Sequence, residues 1–321
     1  MNALRFVDNR LELQNIPQPS NDSEALVRIL KSGICNTDLE IINGYAGFQG
    51  TIGHEFVGVV EEADEDSAWI GKRVVGEINV GCGICWLCKS GDSRHCEMRT
   101  VLGIHGRDGC HAEFLRLPMQ NLLEVSENVS DDQAVFAEPL AAAYGIAEQV
   151  EILPETKVAV IGDGKLGILC AMCSALKSDN VTLVGKHQSK MAKAIGNNIE
   201  CVLLANISGN LHRHFDVVIE ASGSESGFAT ALDLLKPRGK LVLKSTFHGK
   251  PVWEASRVVV DEITIVGSRC GRLAPALDLL ANRQISIDQL INEEFCLRDG
   301  VKAISRAGEK GMLKVLLTMD S

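Results

Sequence analysis

The chain has no uninterrupted apolar run near the ~20 residues that cross a bilayer, so no membrane-spanning helix is expected. The opening residues MNALRFVDNRLELQN lack the apolar stretch of a secretory signal, and acidic side chains come too early for a clear transit peptide. Excess basic charge is missing too. The net charge is −10, which argues against a nucleic-acid partner, since such proteins usually present a basic face. No internal repeat, low-complexity tract or long linker is visible. The expectation is a cytoplasmic protein without nucleic-acid or membrane partners. What is present is ordinary: 321 residues, 45% hydrophobic and 23% charged. That suggests two domains at roughly 150 residues each, with enough chain to build a core without staples.

Residues 1 to about 125 read as short strands between Gly-rich turns, at 25–30, 56–61, 73–78 and 112–117. Ser130 and Gln133 have the spacing of a capping box that opens a helix. From there strands at 157–161, 181–184, 201–203, 216–220, 240–244 and 262–266 alternate with helices over 165–177, 188–196, 224–235 and 272–283. Several of these strands are continuously apolar, as in a parallel sheet covered on both faces. The alternation predicts a doubly wound α/β domain.

The loop Gly162-Asp163-Gly164-Lys165-Leu166-Gly167 joins the strand at 157–161 to the next helix. In that context Gly162 permits the tight turn, Gly164 lets the backbone approach a pyrophosphate, and Gly167 allows close packing. The helix N-terminus then supplies free N–H groups and a positive dipole. A dinucleotide is the expected cofactor. NAD-binding versions carry an acidic residue at the end of the second strand; here that place is Gly185, followed by Lys186, His187 and Lys190. Loss of the carboxylate and gain of cations favour NADP over NAD, and Gly185→Asp is expected to shift preference toward NAD.

Cysteine is the composition's outlier, at 11 residues. Cys82, Cys85, Cys88 and Cys96 form C-x2-C-x2-C-x7-C, with Gly81, Gly83 and Gly91 permitting sharp turns. Four thiolates so close suit a closed tetrahedral zinc site. An iron–sulfur site or a disulfide pair would use the same residues, although a reducing compartment disfavours the disulfide. Cys110, Cys170, Cys173, Cys201, Cys270 and Cys296 are scattered and read as small buried hydrophobes. Cys110 and His111 are adjacent on a strand, so they face opposite ways and make no ligand pair. Cys35 in Gly33-Ile34-Cys35-Asn36-Thr37-Asp38, and His54 with Glu55 in Gly53-His54-Glu55-Phe56, are ambiguous taken singly. Glu138 precedes Pro139 within an otherwise helical stretch, so it is expected at a helix break with its carboxylate turned into a cleft.

Together and in this order, these segments resemble the zinc-dependent medium-chain dehydrogenase/reductase family, the alcohol and sorbitol dehydrogenase group. The resemblance runs over essentially the whole chain. It implies a Rossmann doubly wound parallel-sheet α/β domain, at 126–286, inserted into a mostly-β, GroES-like, partly open barrel domain of 1–125 plus 287–321. It implies a structural zinc on Cys82, Cys85, Cys88 and Cys96. A catalytic zinc would be held by Cys35 and His54, with Glu55 and Glu138 as third ligand, supporting group or alternating pair. Glu138 in place of cysteine resembles the sorbitol, threonine and glucose dehydrogenase branch. The implied reaction is hydride transfer between an alcohol or polyol and NAD(P), with zinc acting as a Lewis acid on the substrate oxygen. A carbonyl reductase using NADPH, or a silent nucleotide-binding member, are the alternatives. Thr37 matches the hydroxyl that passes the alcohol proton onward, and Asp38 the carboxylate that orients the histidine. Many relatives carry histidine five residues after the cysteine ligand; here Glu40 stands there, as a candidate acid/base or a point where the relay ends in water. Residues 42–51, with Tyr45 and Phe48, are expected to line the pocket. The family forms dimers and tetramers, so a homo-oligomer is expected.

Overall fold

The computed structural model describes every residue except 21–22, 65, 195–197, 247–254 and 320–321. The chain forms two compact units: Met1–Glu138 with Leu273–Ser321, and the continuous segment Pro139–Arg272.

The second unit is built on one six-stranded parallel sheet. Its order is Ile199–Leu203, Asn180–Gly185, Lys157–Ile161, Phe215–Glu220, Leu235–Leu243 and Thr264–Gly267. This is the 3-2-1-4-5-6 order of a doubly wound sheet, as expected. The strand KVAVI is buried at every position after Lys157, because helices cover both faces of a central parallel strand. Helix Lys165–Ala175 packs on this strand and on Asn180–Gly185, and helix Glu225–Leu234 packs on Phe215–Glu220. The helix expected over 188–196 is shorter, Gln188–Met191 running into a 3-10 turn at Ala192–Ala194; residues 195 and 196 lie outside the described residues.

The first unit is mostly β. Its main sheet runs Leu122–Glu124, Arg73–Gly76, Glu55–Glu62, Ala25–Gly33, Lys314–Thr318 and Ile291–Cys296, with Phe114–Leu117 also paired to Ala25–Gly33. Two small sheets accompany it. One joins Arg10–Asn15, Asn2–Val7 and Gly50–Thr51, and the other Asn79–Val80, Thr100–Leu102 and Gly106–Arg107. The sequence reading missed the hairpin Asn2–Val7/Arg10–Asn15. Its turn, Asp8-Asn9, has two positive φ angles of 49° and 60°, which Asp and Asn tolerate better than most residues. It also missed the C-terminal pair Ile291–Cys296 and Lys314–Thr318, parallel strands joined by helix Gly300–Ala307.

The junctions between the units differ from 125/126 and 286/287. Helix Asp131–Ala134 packs on Ala25–Gly33, Glu55–Glu62 and Leu273–Ala281, so both helices belong with the β unit. Phe48, expected to line the pocket, is a core residue instead. It is buried with Leu4, Phe6, Ile34 and Ile52, in a core against which Tyr45 packs. Of the scattered cysteines, Cys110, Cys170 and Cys173 are buried, but Cys201 and Cys270 are half-buried and Cys296 is exposed. Alternation along Ile291–Cys296 turns Cys296 outward.

Candidate metal centres and cofactor loop

Cys82, Cys85, Cys88 and Cys96 each bring a sulfur within 4.8 Å of the other three. All are free thiols. Cys85 caps the helical turn Trp86–Lys89, and the Cys88 N–H donates to its sulfur at 3.5 Å. The Cys82 N–H reaches the Cys96 sulfur at 3.4 Å. Backbone bonds from Ile84 and Cys85 draw the Cys82 thiol down to about 6. Desolvation, together with sharing a proton among crowded sulfurs, pushes Cys88 up to about 12. Four sulfurs this close can all ionise when a cation sits among them, and a tetrahedral zinc fits that donor set.

The second group is Cys35, His54 and Glu55, whose donor atoms also lie within 4.8 Å of one another. One end of the main sheet brings them together. Ala25–Gly33 runs out into Cys35, which caps helix Asn36–Ile42; Glu55 opens the neighbouring strand and pairs with Gly33. Asp38, fully buried in the first turn of that helix, accepts from the Cys35 N–H at 2.8 Å. Its other oxygen faces His54 Nδ1 at 3.4 Å. Burial alone would raise the Asp38 pKa, but the charges and hydrogen bonds of His54 and His111 hold it well below the carboxylate range. Burial likewise opposes a charged His54, and Asp38 and Cys35 outweigh it and raise its pKa. Thr37 Oγ1 lies 3.7 Å from the Cys35 sulfur. Glu40 is half-buried further along the helix, outside the three-residue group.

Glu138 is also outside this group, and the helix break falls earlier than expected. Ser130 and Gln133 make the capping box, with bonds of 3.2 and 3.1 Å, and helix Asp131–Ala134 ends ahead of residues 135–136. Helix Ala137–Tyr144 then begins, with Pro139 in its first turn, where a missing N–H leaves no bond unmade. Glu138 is half-buried there, and its charge contributes to the raised pKa of Cys110, behind burial and Asp38.

Two residues that no motif indicated join the second group. Lys314, buried at 1% exposure, forms an ion pair with Glu55, donates to the Ile34 carbonyl at 3.2 Å and lies 5.4 Å from the Phe136 ring centre. Burial draws the Lys314 ammonium down to about 8 against the pull of the Cys35 and Asp38 charges. His111, fully buried, bonds Ser32 Oγ through Nδ1 at 2.8 Å and faces Asp38 through Nε2 at 3.5 Å. The available signal was a charged side chain in the otherwise apolar segment Met312–Leu317, because a buried lysine demands a partner.

In the second unit, the glycine loop fits a bound pyrophosphate. Gly162 has φ +124°, and a Cβ there would come within 2.6 Å of the Ala221 carbonyl. A Cβ on Gly167 would collide with the Gly162 carbonyl oxygen, whereas one on Gly164 would meet nothing within 4 Å. Two glycines therefore close the turn, and Gly164 leaves open space at the start of helix Lys165–Ala175. Leu166 follows Lys165 in that helix. Gly185 ends the second strand, but a Cβ there would meet Asp163 Cβ at 2.6 Å and Oδ2 at 2.8 Å. A side chain at position 185 therefore requires Asp163 to move. Lys186 and His187 are exposed and Lys190 is half-buried.

Among the described residues, no helix is long and apolar enough to cross a membrane. Residues 21–127 match the alcohol dehydrogenase GroES-like domain, and residues 167–282 the zinc-binding dehydrogenase domain. A sorbitol dehydrogenase of Halalkalibacterium halodurans is 27% identical over 95% of both chains. A zinc-binding dehydrogenase of Sinorhizobium meliloti 1021, solved bound to NADP, is 27% identical, with TM-score 0.89 over 99% of this chain and 98% of that one. An alcohol dehydrogenase of Escherichia coli CFT073, solved with NADH, is 26% identical, with TM-score 0.90 over 99% of both. With both domain models matched in order and these relatives spanning nearly its whole length, the chain belongs to the zinc-dependent medium-chain dehydrogenase/reductase family, in its alcohol and polyol dehydrogenase group.

Proposed function

We propose that this chain is a zinc-dependent dehydrogenase that moves hydride between an alcohol or polyol and NAD(P), with one catalytic and one structural zinc. The observation that carries this is the contrast between the two donor groups. Four sulfurs make a complete tetrahedral set, while Cys35, His54 and Glu55 supply three donors of mixed chemistry, one short of such a set. When bound, zinc supplies Lewis acidity toward the substrate oxygen and nicotinamide takes or gives the hydride.

The chain's own residues do the rest. Asp38 faces His54 Nδ1 at 3.4 Å, so Nε2 is the ring nitrogen turned away from that carboxylate and the one to hold the ion. Cys35 is fixed through its own N–H by the same carboxylate. Lys314 anchors Glu55 and balances its charge. Thr37, beside Cys35, is positioned to accept the alcohol proton, and Glu40 on the same helix is the candidate for passing it outward. Glu138, outside the three-residue group, is the candidate alternate carboxylate. Gly162, Gly164 and Gly167, with the first turn of helix Lys165–Ala175, hold the dinucleotide phosphates. Carbonyl reduction is the same chemistry run in reverse. Cytoplasmic residence and a dimer or tetramer belong to this reading, checked by cell fractionation and light scattering.

A panel of alcohols and sugar alcohols with NAD and NADP, read at the reduced-nicotinamide absorbance, tests it. Turnover that disappears in Thr37→Val and on zinc removal is expected. Turnover unaffected by zinc removal would refute the reading.

A further inference from the structure

In doubly wound dehydrogenases, the residue ending the second strand selects the coenzyme, because a carboxylate there accepts the ribose hydroxyls of NAD and repels the extra phosphate of NADP. Gly185 occupies that place and brings no side chain. The structure fills it from the loop that follows the neighbouring strand. Asp163, the second residue of the glycine loop, turns its side chain across the end of Asn180–Gly185 into the volume a Gly185 side chain would need. The side chain is 12% exposed. Asp163 Oδ2 accepts three bonds: from the Lys186 N–H at 2.7 Å, the His187 N–H at 2.5 Å and His187 Nδ1 at 3.0 Å.

We propose that Asp163 takes over ribose recognition from the position Gly185 leaves bare, and that this chain selects NAD(H) over NADP(H). The inference rests on the dehydrogenase reading above. Two physical effects point the same way. First, a negative charge stands at the strand end after all, supplied by the glycine loop. Oδ1 takes no part in the three bonds and is the oxygen left for a ribose hydroxyl. Second, the donors a 2′-phosphate would recruit are engaged. The amides of Lys186 and His187 and the His187 ring nitrogen all point at Asp163. The Lys186 side chain is exposed, where water and salt weaken its attraction for a phosphate. The cations that argued for NADP from the sequence are thus arranged around a carboxylate.

Dissociation constants of NADH and NADPH for the purified enzyme without substrate, by titration calorimetry at fixed salt, test this. The native chain should bind NADH tighter by about tenfold or more, the scale of a hydrogen bond to a charged group. Asp163→Asn keeps the shape and removes the charge, so the preference should fall by a similar factor. The double variant Asp163→Gly/Gly185→Asp, which returns the carboxylate to the usual strand, should recover it. If the variants fold poorly, competition on the native chain decides: 5′-AMP should displace NADH, and 2′,5′-ADP should do so far less well. Equal or tighter NADPH binding by the native chain, or an unchanged ratio in Asp163→Asn, would overturn the inference and leave the dehydrogenase reading intact. Binding of neither nucleotide would overturn both.

Discussion

Lys314→Met removes an ammonium and keeps most of an apolar stem in a fully enclosed place. Glu55 has no exposed surface and Lys314 has 1%. Breaking such a pair leaves an uncompensated buried carboxylate, which costs about 3–5 kcal/mol. The lost contact with the Phe136 ring, 5.4 Å away, adds to this. Zinc among Cys35, His54 and Glu55 would replace the missing positive charge. The variant should therefore be much less stable than native when both are metal-stripped, by about 6–20 °C in melting temperature for a unit of this size. With zinc restored, the gap should shrink by half or more. Calorimetric melting of both proteins, with and without zinc after chelation, measures this. Equal losses with and without zinc, or no loss in the stripped protein, would refute the claim that Lys314 balances a carboxylate directed at the metal.

Two further outcomes follow from the same geometry. Gly185→Asp alone should destabilise the cofactor unit by about 1–3 kcal/mol through overpacking against Asp163, and weaken NADH and NADPH binding together; urea midpoints and binding titrations check both. Acid should destabilise the fold below the ordinary carboxylate range. Asp216 gains from Lys236, Asp261 from Arg213 and Glu293 from Arg306, and each folded pKa is lowered. The unfolded chain therefore binds protons first as pH falls, so this stability is present above about pH 4 and is lost as pH falls toward the depressed values. Arg306→Gln should remove the Glu293 share, seen as a flatter fall of the urea midpoint with pH.

Much of this molecule was legible because periodicity and local chemistry report on local structure. The strand at 157–161, the glycine loop and the Ser130–Gln133 cap were all read from neighbours in sequence. The cysteine lobe was legible for the same reason, since its four donors fall within one loop. What escaped depends on distant segments. Lys314 reaches Glu55 through a strand added to the sheet from the far end of the chain, and no spacing rule links them. Phe48 looked like a pocket aromatic, but its burial is set by Leu4, Phe6 and Ile34, which lie elsewhere in sequence. Nothing in the glycine motif marks Asp163. Its direction is set by the space beside Gly185, a contact between a loop and a strand end that sequence alone does not show.

The central claim is that two separate donor groups hold two zinc ions with different jobs. Elemental analysis of the native chain and of Cys35→Ala, paired with activity and melting temperature, tests it most directly. The account predicts two zinc ions per native chain. Cys35→Ala should retain one, keep its fold and lose turnover. One zinc ion in the native chain, or full activity in Cys35→Ala, would contradict it.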